Sequence, residues 1–363
     1  MSLLRRLLSG LDPLLIIPAL LLAIGGVFVI ASTGGQGSPS PWSQASFIVI
    51  GLGCFLLFAK SDYRALKRYT PALYLVMIGL LLLVQLFGVE ILGAKRWIDL
   101  GVIQLQPSEI VKLLLIIILA KYLAERASEP PSLRELIQTG VYLALPTALV
   151  LTQPDLGTTI IFAAVWGSIL LATKPKWRHL LVLLVLLGIL APLGWGLLAP
   201  YQRERLETFL DPSLDPLGSG YNVTQSTIAI GSGMFLGRGL GEGTQASGGF
   251  LPVHHSDFIF ASLVEQLGFL GGLILLLLYA VMLLRGLRAF RLTPDRFGLY
   301  LAVGISTMLI FHLLINVGMN LGIMPVTGIP LPLVSYGGTS IIITFASLGV
   351  LQSIIGKARG ETG

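Results

Sequence analysis

In the stretch HHSDFIFASLVEQLG, residues 254–268, an aspartate stands between two histidines and a long apolar run. Three kinds of chemistry suit Asp257 there. A carboxylate just before a helix can cap its first turn by accepting backbone N–H bonds. A carboxylate beside a ligand surface can act as general base for a hydroxyl nucleophile. The helix N-terminus would then favour its ionised form, and partial burial would raise its basicity. A metal site with His254 and His255 is the weakest of the three. Adjacent histidines point in different directions, and no further ligand cluster accompanies them.

Other chemistry-bearing residues gather in three places. Upstream of Asp257, GSGMFLGRGLGEGTQASGGF carries eight glycines between positions 231 and 249, with Arg238 and Gln245 among them. Glycine at that density lets a backbone approach a ligand closely. No strand precedes it, which excludes a dinucleotide fingerprint. QPSEIVKLLL places Glu109 and Lys112 three residues apart on one helix face, as an ion pair in an apolar segment. Such a pair either pins helix packing or faces a polar cavity. TQPDLGTT adds Gln153 and Asp155, the latter also a candidate N-cap.

The elements that must position these groups are membrane helices. The chain has 363 residues, 54% hydrophobic and 12% charged, where a soluble domain carries about 25% charged residues. Ten apolar segments, each about 20 residues long and so able to cross a bilayer, recur at 13–32, 43–60, 70–88, 107–124, 136–152, 157–173, 178–198, 258–284, 298–321 and 339–356. They are continuously apolar rather than alternating, which favours helices over a barrel. The expected fold is an all-α polytopic integral membrane protein of ten transmembrane helices, one domain over 1–363. A long outer loop, 199–257, joins helices seven and eight. A re-entrant outer segment precedes helix ten.

Charge fixes the expected orientation. Eighteen of the 24 Lys and Arg, from Arg5 and Arg6 to Lys357 and Arg359, fall on one side of the ten segments. By the positive-inside rule that side is cytoplasmic, and both termini lie there. The net charge of +6 therefore reports topology and does not suggest nucleic-acid binding. The basic start precedes an apolar run too long for a signal-peptide core, so it is read as a retained first span. The single cysteine, Cys54, makes no intrachain disulfide.

Five basic residues face outward against this rule: Lys95, Arg96, Arg203, Arg205 and Arg238. An anionic outer ligand would account for them, since arginine suits phosphate oxygens. For Arg203 and Arg205, snorkelling to lipid headgroups from a short interfacial helix with Tyr201, Leu206, Phe209 and Leu210 on its apolar side serves equally well. Two Asp-Pro pairs would end that helix. The second outer segment, NLGIMPVTGIPLPLVSYGGTS, holds Ser335 and three prolines. Its apolar, helix-breaking character suits a re-entrant stretch covered by protein.

Four motifs in order resemble the SEDS family, the bacterial shape, elongation, division and sporulation proteins. They are KRWIDLGVIQLQPSEIVK, QPDLGT, the run from Tyr201 through HHSDF to Gly268, and NVGMNLGIMPVTGIPLPLVSYGGTS. The short tails resemble its elongation branch more than its division branch. The resemblance implies a peptidoglycan glycosyltransferase polymerising lipid II at the outer face of the cytoplasmic membrane. It puts the family's essential aspartate on Asp257, its QPSE..K pair on Glu109 and Lys112, its QPD aspartate on Asp155 and its RW basic residue on Arg96. Gln153, Arg203, Arg205, Arg238, Gln245 and Ser335 complete the expected supporting set. Val253, Met234, Leu333 and Thr339 depart from the usual pattern without touching the aspartate.

Implied partners are a class B penicillin-binding transpeptidase, other elongation-complex membrane proteins and membrane lipids. A divalent cation, Mg2+ or Mn2+, is compatible with a pyrophosphate leaving group; no other cofactor is expected. Two rival functions remain. A lipid II flippase would use Glu109, Lys112 and the broken outer segment as a polar path, and should show inverted-repeat symmetry, which the sequence lacks. A non-catalytic scaffold for a cell-wall synthase would not need Asp257.

Overall fold

A computed structural model describes residues 10–34, 39–91, 94–101, 104–126, 130–211, 215, 218–293 and 295–360. Arg5 and Arg6 lie outside the described residues, as do Pro212 and Pro216 of the two Asp-Pro pairs. Helices occupy all ten expected segments. They are α1 Pro13–Ser32, α2 Pro41–Lys60, α3 Leu66–Phe87, α4 Pro107–Arg126, α5 Leu133–Thr152, α6 Leu156–Ala172 and α7 Trp177–Leu197. The long outer loop contributes α8 Pro200–Leu210, α9 Ser219–Ser232 and α10 Thr244–Ser247, and α11 Ile259–Leu292, α12 Arg296–Asn320 and α13 Gly338–Ala358 complete the chain.

Among the described residues, seven helices are long and apolar enough to cross a membrane. Helix α4 is 20 residues long but carries Glu109, Lys112 and Lys121. Helices α6 and α7 contain shorter apolar stretches. Helix α11 continues eight residues past its expected end at 284, because the apolar pattern stops while the helix runs on through Arg288 and Arg291.

Local chemistry sets many of the boundaries. Asp12 caps α1 with Pro13 at the first helical position, and Ser132 with Glu135 forms a capping box on α5. Asp155 caps α6 by accepting from Thr158 N at 3.0 Å. Helix α13 packs against α2, α4, α11 and α12 and is buried along its length. Away from Asp257, buried Asp12 pairs with Arg285 Nε and Arg359 Nη2, each at 3.0 Å, tying α1 to α11 and the C-terminal end.

The connection 89–105 adds a three-stranded antiparallel meander that the sequence reading did not describe: β1 Val89–Ile91, β2 Ala94–Asp99 and β3 Gln104–Leu105. The two-residue side-chain period of β2 turns Ala94, Arg96 and Ile98 inward. Lys95 faces the other way and donates to Gln85 O at 3.0 Å, closing the C-terminus of α3.

Residues 321–337 form no helix, and from Val326 to Ser335 they are mostly buried in protein. That is the condition under which non-helical backbone is tolerated at membrane depth. Side chains of other elements satisfy it: Gln44 Nε2 donates to Ser335 O at 3.0 Å, and the Tyr279 hydroxyl donates to Pro332 O.

Candidate active site

The aspartate of the HHSDF stretch lies two residues before α11 begins, and it is not the helix cap. Phe258 occupies the N-cap position, with no side-chain bond to the first turn. The Asp257 carboxylate instead accepts from Ser256 Oγ at 3.1 Å. Gly328, at φ +73°, leaves room on its other side: a Cβ there would stand 3.6 Å from Asp257 Oδ2 and 3.8 Å from Arg96 Nη1. Three distant parts of the chain therefore converge on one point.

That point opens into a cavity of about 740 Å³, a size that suits a small-molecule site. Asp257, Arg96 and Arg205 line it, with Trp97, Asp99, Gln104, Gln106, His255 and Tyr336 around them. Arg96 comes from β2 and donates from Nε to Gln153 O at 3.1 Å and from Nη2 to Pro154 O. It thereby closes the C-terminus of α5 while facing the cavity. Arg205 comes from α8 and donates to Val326 O at 3.1 Å. It therefore points inward, not to headgroups as the snorkelling reading allowed.

Burial pushes the Asp257 carboxyl above the ordinary carboxylate range, while Arg205, the Ser256 hydroxyl and Arg96 act against that rise. The residue keeps partial access through the cavity, but its carboxyl is enclosed by protein. His255, stacked edge-on against Tyr336, is pushed down to about 4 by burial and by its neighbour His254, and so is neutral at physiological pH. A carboxylate with raised basicity and two guanidiniums around a half-open cavity can take a proton from a hydroxyl and stabilise phosphate oxygens.

The other expected residues fall into two groups. Some support the site from outside the cavity. Gln153 donates to Leu81 O at 2.9 Å, and Asp155 accepts from Ser108 Oγ at 3.3 Å, so the QPD and QPSE motifs meet. Ser335 donates to Ser256 O at 2.5 Å and accepts from Leu331 N at 2.8 Å, holding the residue before Asp257. The rest are placed elsewhere. Arg203 donates to Gly196 O at 2.8 Å and Arg238 to Ser232 O at 3.3 Å. The Gln245 N–H donates to the buried Glu265 carboxylate at 2.8 Å.

The glycine-rich stretch does not line the cavity either. It packs on a break in α11 at Gly268, where φ is 70° and ψ is −172°. Phe269 N donates to Met234 O at 2.8 Å and Arg238 N to Glu265 O at 3.0 Å. A Cβ at Gly237 would lie 2.1 Å from Gln266 O, so close backbone contact, not ligand approach, explains the glycine there.

Glu109 and Lys112 form the expected pair at 2.7 Å, fully buried and apart from the cavity. His312, which the sequence reading passed over, completes it. Its Nδ1 lies 2.7 Å from Met308 O and so carries the proton, which leaves Nε2 to accept from Lys112 Nζ at 2.7 Å. Also passed over were Asn316 and Asn320. Their side-chain amides donate to the backbone carbonyl of Asp257 at 3.0 and 2.9 Å. The available signal was polar residues at positions 312, 316 and 320, a four-residue spacing along one face of an apolar helix.

Known proteins share this architecture throughout the chain. The peptidoglycan glycosyltransferase MrdB of Escherichia coli K12 is 41% identical over 348 residues, which is 95% of this chain and 93% of that protein. RodA of Treponema pallidum, also a peptidoglycan glycosyltransferase, is 34% identical over 96% of this chain and 98% of its own. A chain of a solved peptidoglycan synthase complex, in which polymerization and crosslinking are coordinated, superposes with a TM-score of 0.81 at 32% identity, over 97% of this chain and 99% of that one. The rod shape determining protein RodA of Thermus thermophilus superposes with a TM-score of 0.71 at 28% identity, over 96% and 97%. The sequence profile of the FtsW/RodA/SpoVE cell cycle proteins matches residues 12–360, and the chain belongs to that family.

Proposed function

We propose that this protein is a peptidoglycan glycosyltransferase that polymerises lipid II into glycan strands at the outer face of the cytoplasmic membrane, in cell elongation, with Asp257 as general base. The observation that carries the assignment is the enclosed Asp257 carboxyl, of raised basicity, sharing one cavity with Arg96 and Arg205. The sugar 4-hydroxyl of an incoming lipid II gives its proton to Asp257. Its oxygen bonds to the anomeric carbon of the growing strand as the bond from that carbon to phosphate breaks. Undecaprenyl pyrophosphate leaves, with inversion. Arg96 and Arg205 supply the positive charge that the leaving oxygens need.

A divalent cation, Mg2+ or Mn2+, would be held largely by the pyrophosphate oxygens. Among the described residues no group of three or more His, Cys, Asp or Glu is placed to hold an ion. The transpeptidase partner is supported by the likeness to a chain of the synthase complex. The cytoplasmic position of both termini is supported by the distribution of Lys and Arg. The flippase reading is weakened by the Glu109–Lys112–His312 cluster, whose members satisfy one another in a buried position.

The test gives purified protein lipid II in detergent, with and without its transpeptidase and with EDTA or added Mn2+, and looks for glycan strands on a gel. Wild type is expected to make strands and folded Asp257→Asn none. Equal polymerisation by both removes Asp257 from the chemistry. No strands from either with the partner present, together with lipid II crossing liposomes, would move the function to transport.

A further inference from the structure

The helix that follows Asp257 carries no cap of its own. Phe258 at the N-cap has no side-chain oxygen, so the N–H of Ala261, third in the helix, needs an acceptor from elsewhere. Asn320, at the end of α12, supplies one. Its Oδ1 accepts from Ala261 N at 3.0 Å, while its Nδ2 donates to Asp257 O at 2.9 Å. A single carboxamide thus stands where an Ala261 N to Asp257 O bond would close another helical turn.

Asn316, one turn earlier, donates from Nδ2 to the same Asp257 O at 3.0 Å and to Ile329 O at 2.8 Å. Ile329 adjoins Gly328, the residue against Asp257 Oδ2. The second Nδ2 hydrogen of Asn320 goes to Asn316 O at 2.8 Å. All four amide hydrogens of the pair are thereby engaged, and two of them fill the acceptor capacity of the Asp257 carbonyl. Both asparagines are fully buried.

We propose that Asn316 and Asn320 are positioning residues for the transferase reaction: Asn320 caps α11 from α12 and both clamp the Asp257 carbonyl, so that the Asp257 carboxylate faces the cavity and is not consumed as the helix cap. This rests on Asp257 being the base. Without the clamp, the Ala261 N–H loses its acceptor four residues after a carboxylate of the type that caps helix starts. Bound there, the carboxylate would be held in its charged form by the helix N-terminus and would become a weaker base. The groups that face the carboxylate are Arg96 from β2, Arg205 from α8, and Ser256 and His255 on its own segment, with Asp99 farther along the cavity.

The test measures kcat, KM for lipid II and the pH profile of the full-length enzyme with its transpeptidase, on the folded, monodisperse fraction. The variants are Asn316→Ala, Asn320→Ala, the two Ser substitutions and Asp257→Asn. The Ala variants are expected to lose more than about tenfold in kcat with KM within about threefold of wild type. Their acid limb should move to lower pH. The Ser variants, which retain a hydroxyl donor, should recover part of the loss, and they carry the same readings if the Ala variants fail to fold. Wild-type kcat in the folded variants, a change in KM alone, or a loss of kcat with an unmoved acid limb would each overturn the positioning role. If that happens while Asp257→Asn is inert, the base assignment stands. If Asp257→Asn polymerises like wild type, both fall.

Discussion

Two effects compete at the Asp257 carboxyl: enclosure by protein favours its neutral form, and two guanidiniums favour its charged form. Enclosure wins, and two measurable outcomes follow. Arg205→Ala removes one of the opposing charges, so the carboxyl rises further. The acid limb of kcat/KM should then move to higher pH, opposite to the shift expected for the asparagine variants. His255, lowered to about 4, contributes no limb at neutral pH. The second outcome concerns stability. A carboxyl raised in the fold stabilises it at low pH, and that contribution is lost as pH rises through the folded value. Asp257→Asn should therefore melt at or above the wild-type temperature at pH 7, with the difference shrinking as pH falls. A clear drop in melting temperature would mean that the two guanidiniums outweigh the burial.

Between elements, buried polar groups decide how helices meet. Lys112 and Glu109 are both on α4, but Lys112 also binds His312 on α12, so the cluster fastens one helix to another. Lys112→Met leaves the buried Glu109 carboxylate without its cation, beside the His312 ring. The expected loss is about 3–5 kcal/mol, the cost of breaking a buried pair on one side. Thermal unfolding in detergent would show it as a fall of several degrees. Replacing both members, Glu109→Leu with Lys112→Met, should restore most of the loss, which would separate a packing role from a functional one. Helix α11 was legible as one long apolar run, but its break at Gly268 was not. The break depends on hydrogen bonds from residues 234–239, some thirty positions earlier in the chain.

At the scale of the whole molecule, the cavity sits where the meander, α8, the start of α11 and the buried non-helical segment converge. The basic residues crowd toward the other ends of the helices, and this asymmetry supports the proposed orientation. Cys54 is the sole cysteine, so a Cys54→Ser background allows single labels. Arg238→Cys and Arg288→Cys both stand at exposed positions. A membrane-impermeant maleimide applied to spheroplasts is expected to label the first and to reach the second only after lysis. The reverse pattern would invert the molecule and remove the proposed outer-face chemistry.

The sequence by itself determined the ten helical segments, because burial in lipid demands continuous apolar runs whose length the bilayer sets. It also marked Asp257, Arg96, Glu109 with Lys112, and the QPD residues, whose types are costly in apolar surroundings and so stand out. Only the tertiary structure decided what each does. Asp257 and Asp155 both precede helices, yet Asp155 is a cap and Asp257 is not, because Asn320 reaches Ala261 from another helix. Arg205 and Arg203 lie two residues apart, yet only Arg205 faces the cavity. Around Arg238, Gly233 and Gly237 serve close backbone packing against α11, and Gly239 and Gly241 serve positive φ. Composition and periodicity record how each segment meets its solvent. Which polar atom meets which is a matter of distances across the fold, and local sequence does not carry those.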